Sequence, residues 1–158
     1  MIKIFLIIVL VALIIYIAKG VAKQYSDKLE FYKNLKNFFD IYKLNIGFKK
    51  DKLKEIVLNF SSKGDAQILF KNYLEFLENS KDLTCETTLI NEQEKTEIID
   101  ILKALGQGDY STEKEKLKIT EEYMTKQIEK AQSNKDKICP LIVKLSILFA
   151  ILVAILFI

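Results

Sequence analysis

The chain has 158 residues, half of them hydrophobic, and carries 24 lysines against 21 carboxylates with no histidine, arginine or tryptophan. Without histidine there is no Ser-His or Cys-His nucleophile pair and no HExxH zinc site, and without arginine there is no bidentate guanine reader of the commonest kind and no arginine finger supplied by this chain. A net charge of +3, with lysines interspersed among carboxylates, is a solvated surface and not a nucleic-acid footprint.

Residues 2–18 form the first apolar run, bounded by Lys3 and Lys19. As a helix it covers about 25 Å, enough for a short membrane span whose two lysines snorkel to the interfaces. No small-x-small cleavage site follows the bulky stretch before Ala18, so a retained anchor is expected here and not a signal peptide.

Residues 20–137 are charge-rich and read as a helical domain. Tyr25, Leu29, Tyr32, Leu35, Phe39, Tyr42 and Ile46 recur at three- and four-residue steps, a core-facing seam continuing the first helix, with Gly47 as its left-handed cap. A shorter helix follows, with Asp51 as N-cap and Leu53, Ile56, Val57 and Phe60 inward. After the turn at 61–65, Asp65 is placed to cap a third helix bearing Ala66, Leu69, Phe70, Tyr73, Leu74 and Leu77. Residues 79–90 show no period and read as loop. Asn91 and Glu94 form a capping-box start for a helix with Ile98, Ile101, Leu102 and Leu105 inward, closed by Gly106.

Thr112 and Glu115 spell a T-x-x-E box opening the last helix, whose inward positions are Leu117, Met124, Ile128 and Ala131. From residue 138 the chain turns apolar and stays so to residue 158, a length of about 31 Å as a helix and close to the roughly 30 Å of a bilayer's hydrocarbon core. Eleven Leu, Ile, Phe and Val side chains after Lys144 favour insertion by about 3–7 kcal/mol in total. A lysine even at the bilayer centre would cost about 2.5–3.5 kcal/mol, and Lys144 lies near one end. Pro140, at the junction, is expected to kink or break the helix.

The fold class is therefore all-α: a helical bundle over residues 20–137 flanked by transmembrane helices at 2–18 and 138–158. Two spans leave both termini on one side. The lysines near the spans inside the loop, Lys19, Lys23, Lys28, Lys126, Lys130, Lys135 and Lys137, place the middle domain in the cytoplasm by the positive-inside rule. Cys85 and Cys139 sit in different contexts and suggest no disulfide.

Little in the chain suggests chemistry. Gly106 and Gly108 follow a helix instead of a strand and have no third glycine, so they make no phosphate cradle, and no P-loop occurs. The carboxylates Glu92, Glu94, Glu97 and Asp100, and Glu113, Glu115, Glu121 and Glu122, are read as solvated faces with i,i+4 pairs such as Glu122 with Lys126. No catalytic residue, metal site, cofactor or small-molecule substrate is expected.

The order of parts, and above all L-G-Q-G-D at 105–109 followed by a long helix with Leu117, Ile119, Ala131 and Gln132 and a hydrophobic finish, resembles the stage III sporulation protein AB family. Leu105, Gly106 and Asp109 fall on its L-G-x-x-D pattern. The sequence departs from the family where a glutamine is replaced by Glu113 and Lys114 and a glycine by Ser146. The resemblance implies a helical cytoplasmic domain like that of the inner-membrane platform of type II secretion and type IV pilus systems. It further implies a place on the mother-cell side of a complex linking mother cell and forespore, beside a secretion-type ATPase and other stage III sporulation proteins. Leu105, Gly106 and Asp109 are candidates for shaping a turn or contacting a partner, and Lys3, Lys19, Pro140 and Lys144 for the membrane interface. The competing reading is a two-span sensor whose helical domain faces outward and binds a ligand.

Overall fold

Five helices follow one another in the computed structural model, which describes residues 2–45 and 50–157: α1 (Ile2–Leu44), α2 (Lys50–Asn59), α3 (Asp65–Asn79), α4 (Glu92–Ala104) and α5 (Tyr110–Phe157). No strand occurs among the described residues. The chain is thus all-helical, as the periodicity predicts, and its helices divide between two compact units: Met1–Leu29 with Lys130–Ile158, and Glu30–Glu129.

The second unit holds an aromatic-rich core. The seam residues Tyr32, Leu35, Phe39 and Tyr42 of α1 are buried, as are Leu53 and Val57 of α2, Ala66, Leu69, Phe70 and Tyr73 of α3, Ile98 and Leu102 of α4, and Leu117 and Met124 of α5. Phe38, adjacent to the expected seam, is at its centre. Its ring lies 4.7 Å from that of Phe70 and 5.4 Å from that of Phe60, and Phe60 and Phe70 are 4.7 Å apart. Each buried ring contributes about 1.5–3 kcal/mol by leaving water, and each edge-on or tilted pair about 0.5–1.5 more.

The helix ends differ from expectation in instructive ways. Asp51 stands inside the first turn of α2 and not ahead of it. The cap expected at Gly47 lies outside the described residues. Gly64, at φ 58°, precedes α3, and no side chain caps that end. Asp65 instead accepts a hydrogen bond from the Thr87 hydroxyl, tying the loop to the start of α3. The Asn91–Glu94 capping box forms fully, with Glu94 N–H donating to Asn91 at 2.7 Å and Asn91 N–H donating to Glu94 at 3.0 Å.

The segment between α3 and α4 does have a period, which the sequence reading missed. Leu83, Cys85 and Thr87 are buried while Asp82, Thr84, Glu86 and Thr88 are exposed, the alternation of an extended chain. It runs back along α3 as a strap: Lys81 pairs with Glu75 at 2.9 Å, Asn72 donates to the Thr84 carbonyl at 3.3 Å, and Thr87 meets Asp65. Side chains fasten it there, not a β ladder.

In the first unit most large apolar side chains face outward. Ile8, Leu13, Tyr16 and Ile17 of α1 are exposed, and so are Leu141, Leu145, Leu148, Phe149, Ile151 and Ile155 of α5. Only 6% of the apolar window of α1 and 11% of that of α5 is buried, so neither is the core helix of a soluble fold. Both are long and apolar enough to cross a membrane. Cys139 donates to the Ala22 carbonyl at 3.6 Å, a contact between the two helices within this unit.

Pro140 does not break α5, which continues through it. Proline removes one backbone donor, the bond to the Asp136 carbonyl, but interrupting a helix beside an apolar segment would leave several more backbone groups without partners.

Candidate functional site

The L-G-x-x-D turn between α4 and α5 is where sequence signal and geometry coincide. Leu105 is the C-cap of α4 in extended conformation, with its side chain buried. Gly106 follows at φ 71°, a left-handed conformation that residues with a Cβ avoid. A Cβ on Gly108 would come within 3.2 Å of the Glu113 carboxylate and 3.3 Å of Thr112. Asp109 is the true cap of α5: its carboxylate accepts from Thr112 N–H at 3.0 Å and from the Ser111 hydroxyl at 3.1 Å. Those hydrogen bonds, Thr112's first, hold the Asp109 carboxyl below the usual carboxylate range. The T-x-x-E box expected at Thr112 and Glu115 does not open the helix, because α5 already begins at Tyr110.

Glu113 is the residue the sequence concealed. Expected on a solvated face, it is only 5% exposed and gathers the turn around itself. One carboxylate oxygen accepts from Gly106 N–H at 3.2 Å and from the Tyr42 hydroxyl at 3.1 Å; the other accepts from Gly108 N–H at 3.1 Å. The Lys116 ammonium stands 3.9 Å away. Burial, and then the Glu113 charge, push the Tyr42 phenol up, so Tyr42 remains a donor. Nearby, the Tyr73 hydroxyl donates to the Leu102 carbonyl at 2.8 Å, satisfying an acceptor at the end of α4.

A second buried carboxylate, Glu94, also lies where a solvated face was expected. Besides its capping-box bond it faces the buried Tyr32 phenol, which burial and then the Glu94 charge push up. Tyr123 belongs to the same neighbourhood, its phenol pushed up by burial and by the nearby Glu97 carboxylate. Both carboxylates are thus tied to helix ends and turns by the groups around them. Such groups fasten elements together. Among the described residues no group of His, Cys, Asp or Glu could hold a metal ion.

Lys3 lies in the first turn of α1, and Lys19 is exposed further along it; Pro140 and Lys144 are exposed on α5. They share the first unit, whereas Leu105, Gly106 and Asp109 share the second. Cys85 and Cys139 are both free thiols.

Fold and site together define a class: an all-helical protein with two helices fit to cross a membrane and a helical unit whose buried carboxylates serve as structural clamps. The family model of stage III sporulation protein AB matches residues 3–158, and the chain belongs to that sporulation family. No curated protein and no solved structure matches it.

Proposed function

We propose that the chain is a non-enzymatic platform subunit of a sporulation-specific, secretion-like membrane complex joining mother cell and forespore. The helical unit lies in the cytoplasm in this reading, where it docks a secretion-type ATPase, and the two apolar helices hold it in the mother-cell membrane. The observation that carries the proposal is the use made of the buried charge. Glu94 and Glu113 are both engaged in fixing helix ends and turns, and the family's L-G-x-x-D residues are engaged in the same way. A chain that fixes its turns in this way and belongs to a sporulation family suits a rigid docking body better than a catalyst. Lysines beside the two apolar helices favour the cytoplasmic orientation.

The runner-up is an outward-facing sensor. An open groove of about 550 Å³ lined by Asn37, Ile41, Glu55, Ile56 and Phe60 gives it a place for a ligand.

Sidedness separates the two. Cys85→Ala and Cys139→Ala are combined with Glu92→Cys, at an exposed position of α4, and intact cells are treated with a membrane-impermeant maleimide before and after lysis. Labelling only after lysis is expected, followed by retention of the ATPase on the purified full chain. Labelling in intact cells would overturn the platform and leave the sensor.

A further inference from the structure

We propose that the first unit carries a binding surface for acidic phospholipid headgroups, formed by lysines on α1 and α5 where their apolar runs end. The proposal does not depend on the platform reading or on which side the helical unit faces.

Charge is segregated between the two units. The first, Met1–Leu29 with Lys130–Ile158, holds eight lysines against two aspartates, a net of +6; the second holds sixteen lysines against nineteen carboxylates, a net of −3. The modest overall charge therefore hides a strongly basic unit, the one that bears both membrane-length apolar helices.

Several lysines of the first unit are open to solvent, as are others of the second such as Lys33, Lys63 and Lys118. In the second unit, Lys36, Lys43, Lys54, Lys81 and Lys95 each pair with a carboxylate at 2.7–2.9 Å. In the first, Lys19, Lys23, Lys130, Lys137 and Lys144 are exposed, and among the described residues none of them forms an ion pair. Of the two aspartates, Asp136 is engaged by the Gln132 side-chain amide at 2.9 Å and Asp27 is half-buried.

Their placement fits a headgroup layer. Lys19 and Lys23 are one helical turn apart on α1, so their ammonium groups can meet at one phosphodiester. Lys137 and Lys144 lie seven residues apart on α5, which keeps them on one stripe, with about 10.5 Å of rise between them. Lys137 and Lys144 bracket Pro140, and apolar Leu141, Val143 and Leu145 lie exposed beside them. A stripe that passes from charged chain into an apolar segment sits at headgroup depth, within the Debye length over which an anionic surface attracts lysine.

The test uses the full chain reconstituted in phosphatidylcholine vesicles containing a trace of spin-labelled lipid, reading the fraction of label immobilised at the protein. Phosphatidylglycerol is expected to associate at least about fivefold more strongly than phosphatidylcholine, the effect of a single lysine contact. Combining Lys19→Gln, Lys23→Gln, Lys137→Gln and Lys144→Gln should abolish the preference, while the four Lys→Arg replacements should keep it. Lys36→Gln, Lys54→Gln and Lys81→Gln in the other unit should leave it unchanged. Equal association of the two lipids with the native chain overturns the proposal. So does a preference that survives the four glutamines, or one lost equally on replacing the lysines of the second unit. The arginine variant reports on charge even where the glutamine variant inserts poorly.

Discussion

The Tyr42 hydroxyl donates to the Glu113 carboxylate at 3.1 Å, joining residues 71 positions apart. That bond ties the last turn of α1 to the first turn of α5, while the same carboxylate holds the backbone of the intervening Gly106–Gly108 turn. Removing the acceptor strands the buried Tyr42 hydroxyl and leaves the part-buried Gly106 and Gly108 amides without it. Glu113→Ala is expected to cost about 2–4 kcal/mol and Tyr42→Phe about 1–2, with the double variant losing less than the sum. Thermal or denaturant unfolding of the full chain in detergent, followed by circular dichroism, measures the cycle. Strict additivity would mean that the bond carries no coupling.

Glycines at two positions should respond with opposite sign. Gly106 sits at φ 71°, so Gly106→Ala forces a Cβ into the left-handed region and should destabilise by about 1–2 kcal/mol. Gly20 is inside α1, where a Cβ would meet no atom within 4 Å, so Gly20→Ala should be neutral or stabilise by up to about 1 kcal/mol. The same unfolding experiment reads both; destabilisation at Gly20 would reveal a neighbour packed there.

Alkali should unfold the second unit through its tyrosines. A tyrosine in an unfolded chain loses its proton near pH 10. Tyr32, Tyr42 and Tyr73 hold theirs well above that, chiefly because burial disfavours the phenolate. Above pH 10 the folded state therefore binds more protons than the unfolded state. Stability is full below about pH 10 and falls as pH rises past it, by at most about 1.4 kcal/mol per pH unit for each tyrosine. Tyr42→Phe should flatten the decline in a melting-temperature series; an unchanged slope would assign the loss to other groups.

Cys85 should be silent until the fold opens. Its thiol is buried in the strap and pushed up to about 11, mainly by burial, with Lys95 pulling slightly the other way. Little thiolate exists at neutral pH, and the thiolate is the reactive form. In a Cys139→Ser background, maleimide labelling of the detergent-solubilised chain should begin only at the denaturant concentration where helicity is lost. Labelling well before that point would show that the strap detaches by itself.

Periodicity alone determined most of this protein. Apolar spacing places the five helices and most of their inward faces, and two uninterrupted apolar runs identify the helices able to cross a membrane, because burial on one stripe or on all sides is written directly into residue order. The seam from Leu29 to Tyr42 and the residues Ala66, Leu69, Phe70 and Tyr73 of α3 are buried where spacing puts them, while Leu74 and Leu77 are only half-buried. Tertiary structure alone decided the polar interior. Glu94 and Glu113 read as surface carboxylates because the side chains that bury them, Tyr32 beside one and Tyr42 bonded to the other, come from distant positions on α1. Likewise the alternation of Leu83, Cys85 and Thr87 is too short to signal a strap without α3 to lie against. The caps at Asp65 and Thr112 went astray because capping depends on the backbone dihedrals at the helix end, and here Gly64 and the Gly106–Gly108 turn, held by long-range contacts, set them.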